Sequence, residues 1–205
     1  MSRDAVNAVT TDGLLGAVRD LEPVLRRHAP EAERERRLSA PVVAAMRRAG
    51  LYGLFRPRRL GGLEVDPLTA FRVIEEISRI DSAAGWNLMI SSAVEPFGAW
   101  FSDDGAAEIF AGRDTVLAGS FNPPRAAVPV DGGYRVTGRI TFVSGAHHAD
   151  WIAGLAHVVD DGRPRLGPDG QPVVLLTMFP RRDVEIVDNW NTLGMCGTGS
   201  HDVRA

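Results

Sequence analysis

The spacing of apolar residues changes once along this chain, near Arg113, and that change constrains the fold more than any single motif. Upstream, apolar residues recur at steps of three and four, the period of a helix with one buried face. Downstream they alternate, as on a strand with one buried face. Helices first and strands second predict an α+β fold, with a helical domain over residues 1–113 and a β-domain over residues 114–205. At 205 residues, 44% of them hydrophobic, the chain has enough core for one large domain or two small ones.

The helical part divides at its punctuation. In "DGLLGAVRDLEPVLRRH", Leu14, Val18, Leu21 and Leu25 share a face, and Pro23 predicts a kink or break. "SAPVVAAMRRAG" opens at Ser39 and Pro41 and closes at Gly50. "DPLTAFRVIEEISRI" has Asp66 as N-cap and Pro67 in the first turn, with an expected buried stripe of Leu68, Phe71, Ile74 and Ile77. "DSAAGWNLMISSAVEPFGAWF" is apolar nearly all round, as expected of a helix buried on most sides. "DDGAAEIFAG" reads as a short last helix. Arg34, Arg36 and Arg37 interleave with Glu31, Glu33 and Glu35, the pattern of a solvated helix face.

In the second half, "YRVTGRITFVSG", "DWIAGLAHVVD", "QPVVLLTMFP" and "DVEIVDNW" read as strands, and "VDGGY" as a hairpin turn. "HDVRA" begins a further strand. An open sheet stopping there leaves an unpaired edge and uncovered apolar faces, so the chain is expected to end inside a domain.

Bulk properties narrow the function classes. A net charge of −3 gives no basic footprint, so no nucleic-acid partner is expected. One cysteine, Cys196, permits no internal disulfide and predicts a reducing, cytoplasmic setting. "MSRDAVNAVTTDG" lacks the apolar run of a signal peptide, and nothing reaches the roughly 18 apolar residues of a membrane helix, so no membrane association is expected. His28, His147, His148, His157 and His201 lack zinc-site spacing and read as surface or loop residues, so no metal is expected. "GTGS" lacks the flanking strand and helix of a phosphate loop and reads as a turn. Ser144 lacks a nucleophile elbow and reads as a hydrogen-bonding serine. Trp86, Trp100, Trp151, Trp190, Phe121 and Phe142 either line a pocket for a flat ligand or fill the core.

Three stretches in order resemble the acyl-CoA dehydrogenase superfamily, and more closely its flavin-dependent monooxygenase branch. They are "AGLYGLFRPRRLGGLEVDPLTAFRVIEEISRIDSAAGW", "GGYRVTGRITFVSGAHHADW" and "LGMCGTGSHDV". The resemblance implies a helical domain, an antiparallel β-barrel-like middle domain that is incomplete here, and a further helical bundle that would carry the catalytic base and form a tetramer. It implies FAD or FMN as cofactor, used in the reduced state. Phe142 falls where a ring packs beside the flavin, and Ser144 where a hydroxyl bonds the flavin edge near N5. Ser120, Phe121 and Asn122 fall on the preceding loop that lines the same ring. Trp86 falls where monooxygenase relatives place an aromatic against flavin or substrate.

The loop "GSFNPPRAAV" lacks the Gly-Ser-Asp of typical dehydrogenases, which favours oxygenation over acyl-CoA oxidation. Cys196 stands where relatives often have arginine. The expected activity is therefore that of an oxygenase component, hydroxylating a small aromatic or polyketide-like substrate with reduced flavin from a separate reductase. An acyl-CoA dehydrogenase is the alternative, and a non-catalytic remnant is a third reading.

Overall fold

The computed structural model describes residues 10–205; the reading of residues 1–9 as free of a leader segment lies outside them. Among the described residues, six α-helices come first: α1 (Thr11–Asp20), α2 (Glu22–Glu35), α3 (Ala40–Arg48), α4 (Pro67–Ile80), α5 (Ser82–Val94) and α6 (Asp103–Ile109). Eight strands follow: β1 (Leu117–Val130), β2 (Gly133–Thr137), β3 (Arg139–Ile140), β4 (Trp151–Asp160), β5 (Arg163–Pro164), β6 (Val174–Pro180), β7 (Glu185–Val187) and β8 (Asp202–Arg204). The α+β order predicted from the apolar period is the order observed. None of these helices is long and apolar enough to cross a membrane.

The expected break falls at Leu21. Pro23 stands in the first turn of α2, where its missing N–H leaves no bond unmade. α4 starts as predicted, with the Asp66 carboxylate accepting the Thr69 amide at 3.0 Å. Its buried face differs from the expected stripe. Thr69, Ala70, Val73 and Ile77 are buried, while Leu68 and Phe71 are 59% and 62% exposed. Neighbouring helices decide this. Thr11 of α1 and Thr69 share a hydroxyl bond of 2.8 Å, and Gly85 of α5 lies directly against Ser78. Small and medium residues therefore face inward, because the helices approach too closely for Phe71. α5 is buried along most of its length, and wholly burying a residue such as Leu88 contributes about 1.5–3 kcal/mol.

The larger sheet runs β2–β1–β4, with β5 and β6 also pairing with β4; a smaller sheet runs β3–β8–β7. The first is mixed rather than wholly antiparallel, because β1 and β4 are parallel. The chain between them forms β2, β3 and a series of turns, long enough to return to the end where β1 began. β1 itself was not expected. Pro123 and Pro124 read as loop, and the β1–β4 ladder is indeed irregular between Ser120 and Arg125, where those prolines cannot donate.

Ala118, Ile140, Val143, Ile152 and Val203 form one core of the strand part. Val94, Ile109 and Phe110 from the helical part meet Leu117 and Ala153 of the sheet in another. Beside that junction Arg56 and Glu95 are both wholly buried. Arg56 donates to the carbonyls of Arg113 and Thr115 at 2.9 and 2.7 Å, and Glu95 accepts the amides of Phe55 and Arg56 at 2.9 and 3.2 Å. The helical part is thus tied to the entry of β1.

Candidate active site

A cavity of about 680 Å³ lies between α5, the start of β1, the turn after β3 and the loop before β8. That is the size of a small-molecule site. α5 contributes Trp86, Ile90, Ala93 and Val94, and β1 contributes Gly119, Ser120 and Phe121. The turn contributes Phe142 and Ser144, and the loop contributes Trp190, Met195, Thr198 and Ser200. Phe142 and Trp190 meet edge to face, with 6.2 Å between ring centres. Phe142 and Met195 both have φ of 58°, a left-handed conformation costly for residues with a Cβ. Surrounding bonds enforce it at Phe142, whose amide donates to Asp202 at 3.1 Å, while Asp202 is held by Arg139 and Asn189.

Trp86, Ser144, Ser200, Thr198 and Trp190 of the cavity form one connected chain. Trp86 Nε1 donates to Ser144 Oγ at 2.9 Å. Ser144 Oγ and Ser200 Oγ lie 2.7 Å apart, and Ser200 Oγ and Thr198 Oγ1 lie 2.8 Å apart. Thr198 Oγ1 donates to the Met195 carbonyl at 2.8 Å, and Trp190 Nε1 donates to the same carbonyl at 3.2 Å. Ser144, Thr198 and Ser200 are all buried. The Thr198 carbonyl accepts from the Gly145 amide at 3.0 Å and from Asn87 Nδ2 at 3.3 Å, which joins both loops to α5. Gly145 has φ of 77°, and a Cβ there would sit 2.3 Å from Asn87 Oδ1, so only glycine fits after Ser144.

Two supports behind the cavity depart from the sequence reading. The charged face at the end of α2 is not simply solvated. Glu33 accepts the amides of Cys196 and Gly197 at 3.3 and 3.1 Å, and Arg36 donates to Asp188 at 2.8 Å and to the Trp190 carbonyl at 3.0 Å. These charges satisfy unpaired backbone groups of the loop. His201 is not a surface residue but is 1% exposed. Its Nδ1 accepts the amides of Asn189 and Trp190, both at 3.2 Å, so the ring carries its proton on Nε2 and is neutral. Burial lowers its pKa, against the pull of Asp188. It braces the segment that carries Trp190.

Trp86, Ser120, Phe121, Phe142 and Ser144, singled out from the sequence, all line the cavity. Asn122 is not among its lining residues. Its carbonyl accepts from Thr141 Oγ1 at 3.2 Å, within the irregular stretch of β1 where alternation fails. Thr198 and Ser200 were read as turn residues, and they are, but their hydroxyls belong to the site. The only signal for them was the likeness of "LGMCGTGSHDV" to a family stretch. The lining suits a flat, largely apolar ring system: aromatic and aliphatic groups for its faces, and the Ser144 oxygen for one polar edge.

Residues 14–103 match the family model for the acyl-CoA dehydrogenase N-terminal domain. The chain is 37% identical over 195 residues to indole-3-acetate monooxygenase of Pseudomonas putida, covering 94% of this chain and 46% of that protein. It is 32% identical to the oxygenase subunit HsaA of the flavin-dependent monooxygenase of Rhodococcus jostii, covering 89% and 46%. The structure of XiaF from Streptomyces sp. in complex with FADH2 and glycerol superposes with a TM-score of 0.86 at 32% identity, covering 95% of this chain and 48% of that one. The chain spans about half the length of the curated relatives it matches.

Proposed function

The chain belongs to the acyl-CoA dehydrogenase superfamily, and from that premise we propose that it is part of the oxygenase component of a flavin-dependent monooxygenase acting on a small aromatic substrate. The observation that carries this reading is the buried Ser144 hydroxyl, fixed by Trp86 at the wall of an aromatic-lined cavity. Bound there, FAD or FMN in the reduced state would supply the electrons that activate dioxygen. Ser144 orients the ring edge near N5. Phe142 and Trp190 form an aromatic wall, and Ser120 and Phe121 line the adjoining side. Trp86 fixes the Ser144 oxygen and borders the space left for substrate. Ile90, Ala93 and Val94 keep that space apolar and exclude water.

In this proposal residues 1–113 and 114–205 are two domains. A separate reductase supplies the reduced flavin, as fits relatives named as oxygenase subunits. The complete enzyme is a homo-oligomer in a reducing, cytoplasmic setting, the latter resting on the single Cys196.

The test is an anaerobic titration of the chain with reduced FAD and reduced FMN. We expect micromolar binding, weakened roughly tenfold in Ser144→Ala by loss of one buried hydrogen bond. Anaerobic bleaching of bound oxidised flavin by an acyl-CoA would instead identify a dehydrogenase and overturn the proposal.

A further inference from the structure

The hydroxyl chain behind the cavity has a direction, and the direction follows from counting protons. A carbonyl oxygen only accepts, so the one hydroxyl proton of Thr198 is committed to Met195. Thr198 Oγ1 must then accept from Ser200, which commits the proton of Ser200. Ser200 Oγ must accept from Ser144, which commits the proton of Ser144. The indole of Trp86 has only a donor, so Ser144 accepts from it. Ser144 is left with no free proton and one free lone pair, on a residue that lines the cavity.

We infer that this chain sets the preference of the site between redox states of its ligand: Ser144 presents a lone pair, which accepts from the N5–H of a reduced flavin and opposes the lone pair on N5 of an oxidised one. The inference rests on the flavin reading of the cavity. Thr198 and Ser200 are positioning residues here. They act through Ser144, and no contact with the ring is asked of them. A ring nitrogen that donates gains a hydrogen bond at Ser144, whereas one that only accepts either meets a lone pair or breaks the chain to obtain a proton.

The experiment is the ratio of dissociation constants for FMN and reduced FMN, measured anaerobically on the full chain and its variants. The wild type is expected to bind the reduced form more tightly. Ser200→Ala removes the acceptor for the Ser144 proton and frees that proton to turn into the cavity. The oxidised-to-reduced ratio is then expected to fall about tenfold, chiefly through tighter FMN binding. Thr198→Val acts from the other end, because Ser200 loses its acceptor and turns its proton back on Ser144; the same fall is expected, and this variant decides the matter if Ser200→Ala does not fold.

An unchanged ratio in Ser200→Ala and Thr198→Val, with both flavins still bound, overturns the inference and leaves the flavin reading standing. Binding of neither flavin by the wild type overturns both. A second readout needs no ligand. The Trp86 indole resonance in a proton–nitrogen correlation spectrum is expected to shift in Ser144→Ala, and its failure to move would remove the first link of the chain.

Discussion

Three histidines gather behind the loop that carries Trp190. The rings of His147 and His201 stand 5.1 Å apart at 75°, and His148 lies beside His147. Burial, then the neighbouring charges, pushes His147 and His148 down to about 4. In the unfolded chain both titrate near 6.5, so below that pH the unfolded state binds more protons. Their contribution to stability is present above pH 6.5 and lost as pH falls toward 4. Glu95 works in the opposite sense. Burial raises it to about 7 despite Arg56, so its contribution is present below about 4.5 and lost as pH rises through 7. Two histidines outweigh one carboxyl between pH 4.5 and 6.5. We expect stability from urea unfolding to fall on acidification across that window, and the fall to be shallower in His148→Asn. At this scale the sequence pointed to Ser144 and Trp86 singly. Their bond spans 58 positions and no local pattern encodes it.

Among the elements, α5 is the one on which the site is built. It carries Trp86 and Asn87 and is set by a close crossing with α4. A Cβ on Gly85 would lie 2.0 Å from Ser78 Oγ and 2.8 Å from Ser78 Cα, and the second of these is backbone that cannot swing aside. Gly85→Ala is therefore expected to destabilise the protein by about 3 kcal/mol, the upper end of overpacking, measured by thermal or denaturant unfolding. It should also disturb flavin binding, because Trp86 is the next residue. Caps and prolines made the starts of α2 and α4 legible in advance. The buried face of α4 was not, because the apolar stripe through Leu68 and Phe71 is as periodic as the one the neighbouring helices chose. β1 was missed because its prolines argue against a strand, and they are tolerated only where its ladder is already interrupted.

Among the described residues several charged groups tie helices to strands, and two sets of them border the candidate site and the entry of β1. Glu33 and Arg36 fasten the loop before β8, and the buried Arg56–Glu95 pair fastens the entry of β1. Arg56→Met leaves Glu95 buried without its partner and strips the carbonyls of Arg113 and Thr115 of their donor. We expect a loss of about 3–5 kcal/mol by chemical denaturation, with part of it recovered in Arg56→Met combined with Glu95→Gln. Little recovery in the double variant would mean that the carbonyl bonds of Arg56, rather than the ion pair, hold the junction.

From sequence alone came the α+β order, the break beside Pro23 and the start of α4, because apolar period, caps and turn residues act over a few positions; five of the cavity residues came from the resemblance to a known family. The tertiary structure alone decided the parallel pairing of β1 with β4, the burial of His201 and the roles of Glu33 and Arg36. It alone joined Trp86, Ser144, Thr198 and Ser200 into one directed chain. Those outcomes depend on unpaired backbone groups and hydroxyls finding partners far away in the chain, and a partner's identity is settled only when the elements pack.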